Sequence, residues 1–130
     1  MYSPKSKYMT AIKENSTNQE NRLLMQENCP VTYTLEKIGG RWKPIILFKL
    51  RTTLRYGQLR KSIYGITEKM LIQQLRELEA DGLVRRETKP VVPPHVEYSL
   101  TELGTSLAPI MDEMAKWGLR NNPLQFTGIM

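Results

Sequence analysis

The 130-residue chain is 40% hydrophobic and carries 19 Lys and Arg against 13 Asp and Glu, a formal net charge of +6. That length bounds one domain with a single core and tails, and the basic excess makes a polyanion a reasonable partner. With one cysteine, Cys29, and one histidine, His95, the chain holds neither an internal disulfide nor a multi-Cys/His metal site.

The charge is unevenly spread: residues 41–100 hold twelve Lys or Arg against six Asp or Glu, whereas both flanks are nearly balanced. No apolar run approaches the roughly 20 residues that span a bilayer, so no membrane partner is expected. The opening MYSPKSKYMTAIKENS lacks the apolar core of an export signal, and a cytoplasmic location is expected.

Residues 1–28 are polar and predict a mobile arm, whose cluster Leu23, Leu24, Met25 is expected to dock as a helical turn, on a partner chain if on anything. From Pro30, the spacing of Val31, Leu35 and Ile38 predicts a first helix, stopped by Gly39-Gly40. A second is predicted from Arg41 to about Leu50, with Pro44 in its first turn and Trp42, Ile45, Ile46 and Leu50 as core. Tyr56, Leu59 and Ile63 mark a third short helix, and Gly65 permits a sharp exit.

Thr67 then stands as N-cap of a helix from Glu68 to Asp81. Leu71, Leu75 and Leu78 form its apolar stripe, Ile66 and Leu71 occupy hydrophobic-staple positions, and Gly82 ends it. Leu83 to Lys89 and His95 to Leu100 read as strands, the second alternating Val96, Tyr98 and Leu100 against Glu97 and Ser99. The PVVPP between them cannot pair in a ladder and predicts a stiff hairpin tip. Thr101 caps a last helix bent at Pro109, with Leu103, Leu107, Ile110, Met114 and Trp117 as one stripe over four turns. That stripe either covers its own core or pairs with a second copy.

Opposite the leucine stripe, Lys69, Gln73 and Arg76 fall on one line of the helix from Glu68. Lys and Arg suit phosphates and guanine edges, and Gln suits adenine, so the line reads either as a DNA-facing surface or as a solvated face. Arg85, Arg86 and Lys89 on the following hairpin supply a second basic element that would grip the neighbouring backbone or minor groove.

The segments CPV (29–31), IGGRW (38–42), YGQLRKSIYGITEKMLIQQLRELEADGLVRR (56–86) and VPPHVEYSLTELG (92–104) together resemble the HxlR-type regulators, bacterial winged-helix transcription factors similar in architecture to the MarR group. The resemblance spans about Cys29 to Gly118. It implies a mainly α fold with a small β-hairpin wing, a winged helix-turn-helix that dimerises through its terminal helices and binds double-stranded DNA at a roughly palindromic operator. It puts Thr67, Lys69, Met70, Gln73 and Gln74 at the front of the recognition helix and Arg76 at phosphate. His95 departs from the pattern, since relatives often carry Arg or Lys after the two prolines; it reads as a turn residue or as a pH-dependent contact. The implied organisation is a mobile arm over 1–28, a DNA-binding and dimerisation domain over 29–119, and a tail over 120–130.

Cys29 precedes a helix start, where the positive end of the helix dipole favours a thiolate. Some members of the resembling family sense oxidants or electrophiles through a cysteine at this motif, which makes Cys29 a candidate sensor beside the alternative of a passive thiol. Any disulfide must join two subunits or take up a small thiol. An enzyme is not expected: the chain lacks a glycine-rich phosphate loop and a supported carboxylate pair, and Cys29 lies far in sequence from His95. A winged helix used for protein contact or for RNA is the remaining alternative.

Overall fold

The computed structural model describes residues 29–124, which divide between Gly40 and Arg41 into two compact units. The arm expected over 1–28, with its Leu23, Leu24, Met25 cluster, lies outside the described residues, as does the tail from residue 125. The first unit contributes α1 (Pro30–Ile38). Cys29 is its N-cap and Pro30 its first residue, where the missing N–H has no intrahelical partner. The Gly39 N–H closes on the Leu35 carbonyl at 2.6 Å, and Gly40 turns away at φ 91°. Of the apolar residues on α1, Ile38 is buried while Val31, Tyr33 and Leu35 are exposed.

The second unit runs α2 (Lys43–Lys49), β1 (Leu54–Arg55), α3 (Tyr56–Ser62), α4 (Glu68–Ala80), β2 (Val84–Lys89), β3 (His95–Leu100), α5 (Glu102–Thr105) and α6 (Ala108–Asn121). Pro44 falls in the first turn of α2, as its chemistry requires. The backbone N–H of Arg55 donates to Gln58 Oε1 at 2.9 Å, half of a capping box that opens α3. Gly65, at φ 84°, makes the sharp turn into α4. Thr67 caps α4 through its hydroxyl, which accepts the Met70 N–H at 3.1 Å, and the staple pair Ile66 and Leu71 are both buried.

α4 ends in a Schellman motif. The Leu83 N–H reaches the Leu78 carbonyl at 2.9 Å and the Gly82 N–H reaches Glu79 at 3.0 Å, with Gly82 at φ 75°. Leu71, Leu75 and Leu78 are 0–1% exposed and pack with Ile46, Leu47, Leu50, Leu59, Ile63, Leu83, Val84, Tyr98 and Met111 in the core of this unit. Each such leucine contributes about 1.5–3 kcal/mol by leaving water.

The sheet has three antiparallel strands in the order β1-β3-β2. β1 is not apparent in the sequence: two residues carry no period, and the strand exists because Leu54 and Arg55 pair with Tyr98 and Glu97. Val84–Lys89 pairs with His95–Leu100 residue for residue, so the wing is a hairpin whose tip is the unpaired PVVPP.

The last helix differs from expectation. Pro109 does not bend one long helix. Thr101 caps the four-residue α5, the chain breaks at Ser106 and Leu107, and α6 starts anew with Pro109 in its first turn. A proline there disrupts no intrahelical hydrogen bond, whereas deeper in a helix it would. Met111 is the buried residue of α6, while Leu103, Ile110, Met114 and Trp117 of the expected stripe are exposed and Leu107 is half-buried.

The corner that carries β3 into α5 is tight. The Thr101 hydroxyl donates to the Gly82 carbonyl at 2.6 Å and accepts the Gly104 N–H at 3.0 Å, and the Thr101 N–H reaches Leu83 O at 3.1 Å. A Cβ on Gly104 would fall on the Leu83 carbonyl oxygen, which is backbone and fixed by that same bond. Gly104→Ala is therefore expected to cost about 1–3 kcal/mol, the range for overpacking. Urea unfolding would show it as a lower midpoint at unchanged slope, and an unchanged midpoint would mean that the corner yields freely.

Candidate nucleic-acid interface

The leucine stripe of α4 determines what α4 shows to solvent. With Leu71, Leu75 and Leu78 inward, Lys69, Gln73 and Arg76 point outward and are all exposed. Met70 and Gln74 lie half-buried at the edge of this line, joined by a 3.6 Å contact from Gln74 Nε2 to Met70 Sδ. Thr67 has its hydroxyl committed to the cap. The front turn of the helix is thus internally braced, and Lys69 and Arg76 make no ion pair among the described residues.

The sheet register sorts the wing cations onto two faces, because residues directly opposite share a face. Arg85, Lys89, His95 and Glu97 lie on one; Arg86, Val96 and Tyr98 lie on the other. On the first face, His95 Nε2 meets Glu97 Oε2 at 2.9 Å, and Lys89 Nζ stands 3.3 Å from Glu87 and 4.0 Å from Glu97. The His95 hydrogen bond, helped by the Lys89 charge, holds the Glu97 carboxyl below its usual range. Lys89 and His95 are therefore tied to carboxylates, while Arg85 and Arg86 are exposed without an ion pair among the described residues.

Arg86 instead faces α4. Together with Arg76 it lines a cleft of about 500 Å³ between α4 and the sheet, bounded also by Glu68, Ile72, Glu79 and Tyr98. Tyr56 closes the cleft; its hydroxyl is buried with no hydrogen-bond partner among the described residues, and burial, then the Glu68 carboxylate, raises its pKa. Sequence reasoning gave Tyr56 and Glu68 only as helix markers and did not place them or Glu79 in a site, since only the packing of the sheet against α3 and α4 gathers them. Tyr64, 97% exposed in the turn before α4, was also passed over, because a single aromatic in a polar turn breaks no pattern.

Cys29, in the first unit, is an exposed free thiol. The Cys29 thiol closes no side-chain capping bond onto the helix, but the nearby backbone N–H of Thr32, then that of Val31, and then the Thr32 hydroxyl favour its thiolate and lower its pKa from the ordinary value. This is the N-cap position, where helix N–H groups have no other partner.

Residues 37–125 match the HxlR-like helix-turn-helix family. The HTH-type transcriptional regulator YybR of Bacillus subtilis (strain 168) is 50% identical over 97 residues, 74% of this chain and 78% of YybR. Among solved structures, the chain is similar to the redox regulator HypR in its oxidized form, with a TM-score of 0.69 and 49% identity over 72% of this chain and 98% of that one. It is also similar to the reduced form of the transcriptional regulator YodB from B. subtilis, with a TM-score of 0.62 and 32% identity over 75% and 98% of the two chains.

Because the thiolate of Cys29 is favoured, its alkylation by iodoacetamide should reach half its maximal rate at a lower pH than that of a cysteine in an unstructured peptide. Thr32→Val removes the hydroxyl donor and should move that midpoint upward; coincident profiles for the protein and the peptide would deny the helix any influence on the thiol.

Proposed function

The chain belongs to the HxlR-like helix-turn-helix family, and we propose that it binds double-stranded DNA sequence-specifically, as a homodimer on a roughly palindromic operator, under control of Cys29. It is a transcriptional regulator of the HxlR type. The observation that carries the finer reading is the outward line Lys69, Gln73 and Arg76 on a helix braced at its front turn and flanked by a wing. A helix about 10–12 Å across fits a major groove about 12 Å wide, and a wing beside it reaches the adjoining backbone.

The proposed roles follow from where each side chain stands. Lys69 and Gln73 read base edges; Thr67, Met70 and Gln74 sit at the groove entry and hold the first turn; Arg76, Arg85 and Arg86 take phosphates. Lys89 and His95, already facing Glu87 and Glu97, shape the wing and add little to the charge it presents. For dimerisation, the support is the apolar face of α6, where Ile110, Met114 and Trp117 are exposed. A twofold axis would then set two recognition helices about 34 Å apart, one helical turn of DNA.

The sensing role rests on the exposed thiol at a helix N-terminus and on the likeness to a redox regulator. Oxidation to an intersubunit disulfide or a mixed disulfide would shift the recognition helices and change DNA affinity.

Fluorescence anisotropy of the reduced protein on a selected operator and on a scrambled duplex, at two salt concentrations, tests the DNA assignment. Gln73→Ala is expected to lose discrimination between the two duplexes. Arg86→Ala should weaken both and flatten the salt slope by roughly one phosphate contact, about 0.9 in log–log slope. Equal losses on both duplexes for both variants would refute this division of roles. For the sensor, diamide should alter binding by the native protein and leave Cys29→Ser unaffected; a full response in Cys29→Ser would remove the thiol from the mechanism.

A further inference from the structure

One ion pair of the second unit is not accounted for by DNA binding or by the core. Lys43, in the first turn of α2, reaches Glu77 on α4, 34 residues away, and its Nζ donates to Glu77 Oε1. The lysine side chain is 13% exposed and the glutamate 44%, so the pair is part-buried where α2 comes within side-chain reach of α4. The other carboxylate oxygen, Glu77 Oε2, accepts a hydrogen bond from Gln73 Nε2 at 3.3 Å. A chain of two contacts thus runs from the body of the domain to the glutamine at the centre of the outward line. The Lys43 contact, then that of Gln73, holds the Glu77 carboxyl below its usual range and keeps it ionised.

An ionised carboxylate accepts hydrogen bonds and donates none. With Glu77 fixed by Lys43, only one orientation of the Gln73 amide is favourable: Nε2 toward Glu77 and Oε1 turned away. The flipped amide would set Oε1 against Oε2. In the held orientation one N–H is taken by Glu77, and the group offers a base edge one remaining N–H and one acceptor oxygen.

That pair of functions matches adenine, which presents N7 as acceptor and the N6 amino group as donor in the major groove. Guanine presents two acceptors, N7 and O6. A freely rotating glutamine can offer both of its N–H groups to them, and one whose second N–H is already bound cannot. We propose that Glu77, anchored by Lys43, is a positioning residue that makes Gln73 select adenine and reject guanine. This rests on the groove-reading role given to Gln73 above, and assigns that role its base and the device that enforces it.

The test compares the reduced native protein with Gln73→Ala, Glu77→Gln and Glu77→Ala. Selection from a random duplex pool defines the preferred site, and loss of preference in Gln73→Ala identifies the base pair that Gln73 contacts. At that position the native protein is expected to favour adenine over guanine by about tenfold or more, the lower range for a bidentate contact. Glu77→Gln keeps the shape of the side chain but tolerates either amide orientation, so the adenine-to-guanine ratio should fall to within about threefold of unity. Glu77→Ala should do the same. Both remove a negative charge and should raise affinity for every duplex alike, a uniform effect separable from the ratio.

A merely structural role for Glu77 would change affinity at all positions together and leave the ratio at the native value. That result, with the ratio still abolished in Gln73→Ala, would overturn the positioning role while leaving the DNA assignment intact. A native protein with no base preference that depends on Gln73 would overturn both, and the comparison with Gln73→Ala separates the two failures.

Discussion

The burial of Leu71, Leu75 and Leu78 is the constraint from which the rest of the second unit follows. Three leucines on one stripe, each at most 1% exposed, fix the rotation of α4 about its own axis. Once that rotation is set, Lys69, Gln73 and Arg76 must face solvent, Arg76 must border the sheet, and Glu77 must lie within reach of α2. The Thr67 cap and the Schellman exit at Gly82 hold the same helix along its axis, so neither end can slide. A helix pinned in both rotation and translation is suited to present side chains to a rigid, repeating surface.

The basic excess is also less uniform than its total suggests. Lys89 and His95 are drawn onto Glu87 and Glu97, and Lys43 and Arg51 onto Glu77 and Asp112. Exposed pairs of this kind contribute about 0–1 kcal/mol each to stability, and their larger effect is to cancel field. Among the described residues, the cations left without an ion pair include Lys69 and Arg76 on α4 and Arg85 and Arg86 on the first half of β2, beside Lys49, Arg55, Arg60 and Lys61 on α2, β1 and α3.

Much of this was legible in the sequence, because the signals that mattered were local. The leucine spacing of α4, the Thr67 and Thr101 caps, the glycines at 65 and 82, the prolines at 30 and 44, and the alternation of β3 each need only a few neighbouring residues to be read. The features that escaped depend on distant parts of the chain. β1 has two residues and forms only against β3; Lys43 finds Glu77 only through the packing of α2 on α4; and the face of the sheet on which Arg86 lies follows from the register with β3. The last helix was misread for a different reason. Apolar spacing from Leu103 to Trp117 is continuous in sequence, but it does not report that the backbone breaks before Pro109 and starts a second helix, whose buried residue, Met111, lies off the expected stripe.

The placement of β2 at one end of the strand order has a consequence for how copies of this protein tolerate one another. Its outer side offers N–H and C=O groups to no strand of the sheet, and an open edge of this kind is a template on which a second hairpin could add. The six residues Val84–Lys89 include three cations and a carboxylate, and the chain leaves the ladder directly into a proline-rich tip. Stacking two such edges would set like charges against one another and then run out of donors. Apart from the role proposed for them on DNA, the arginines of the wing thus keep neighbouring hairpins apart at high local concentration. A wing refashioned with apolar residues would lose that protection against aggregation.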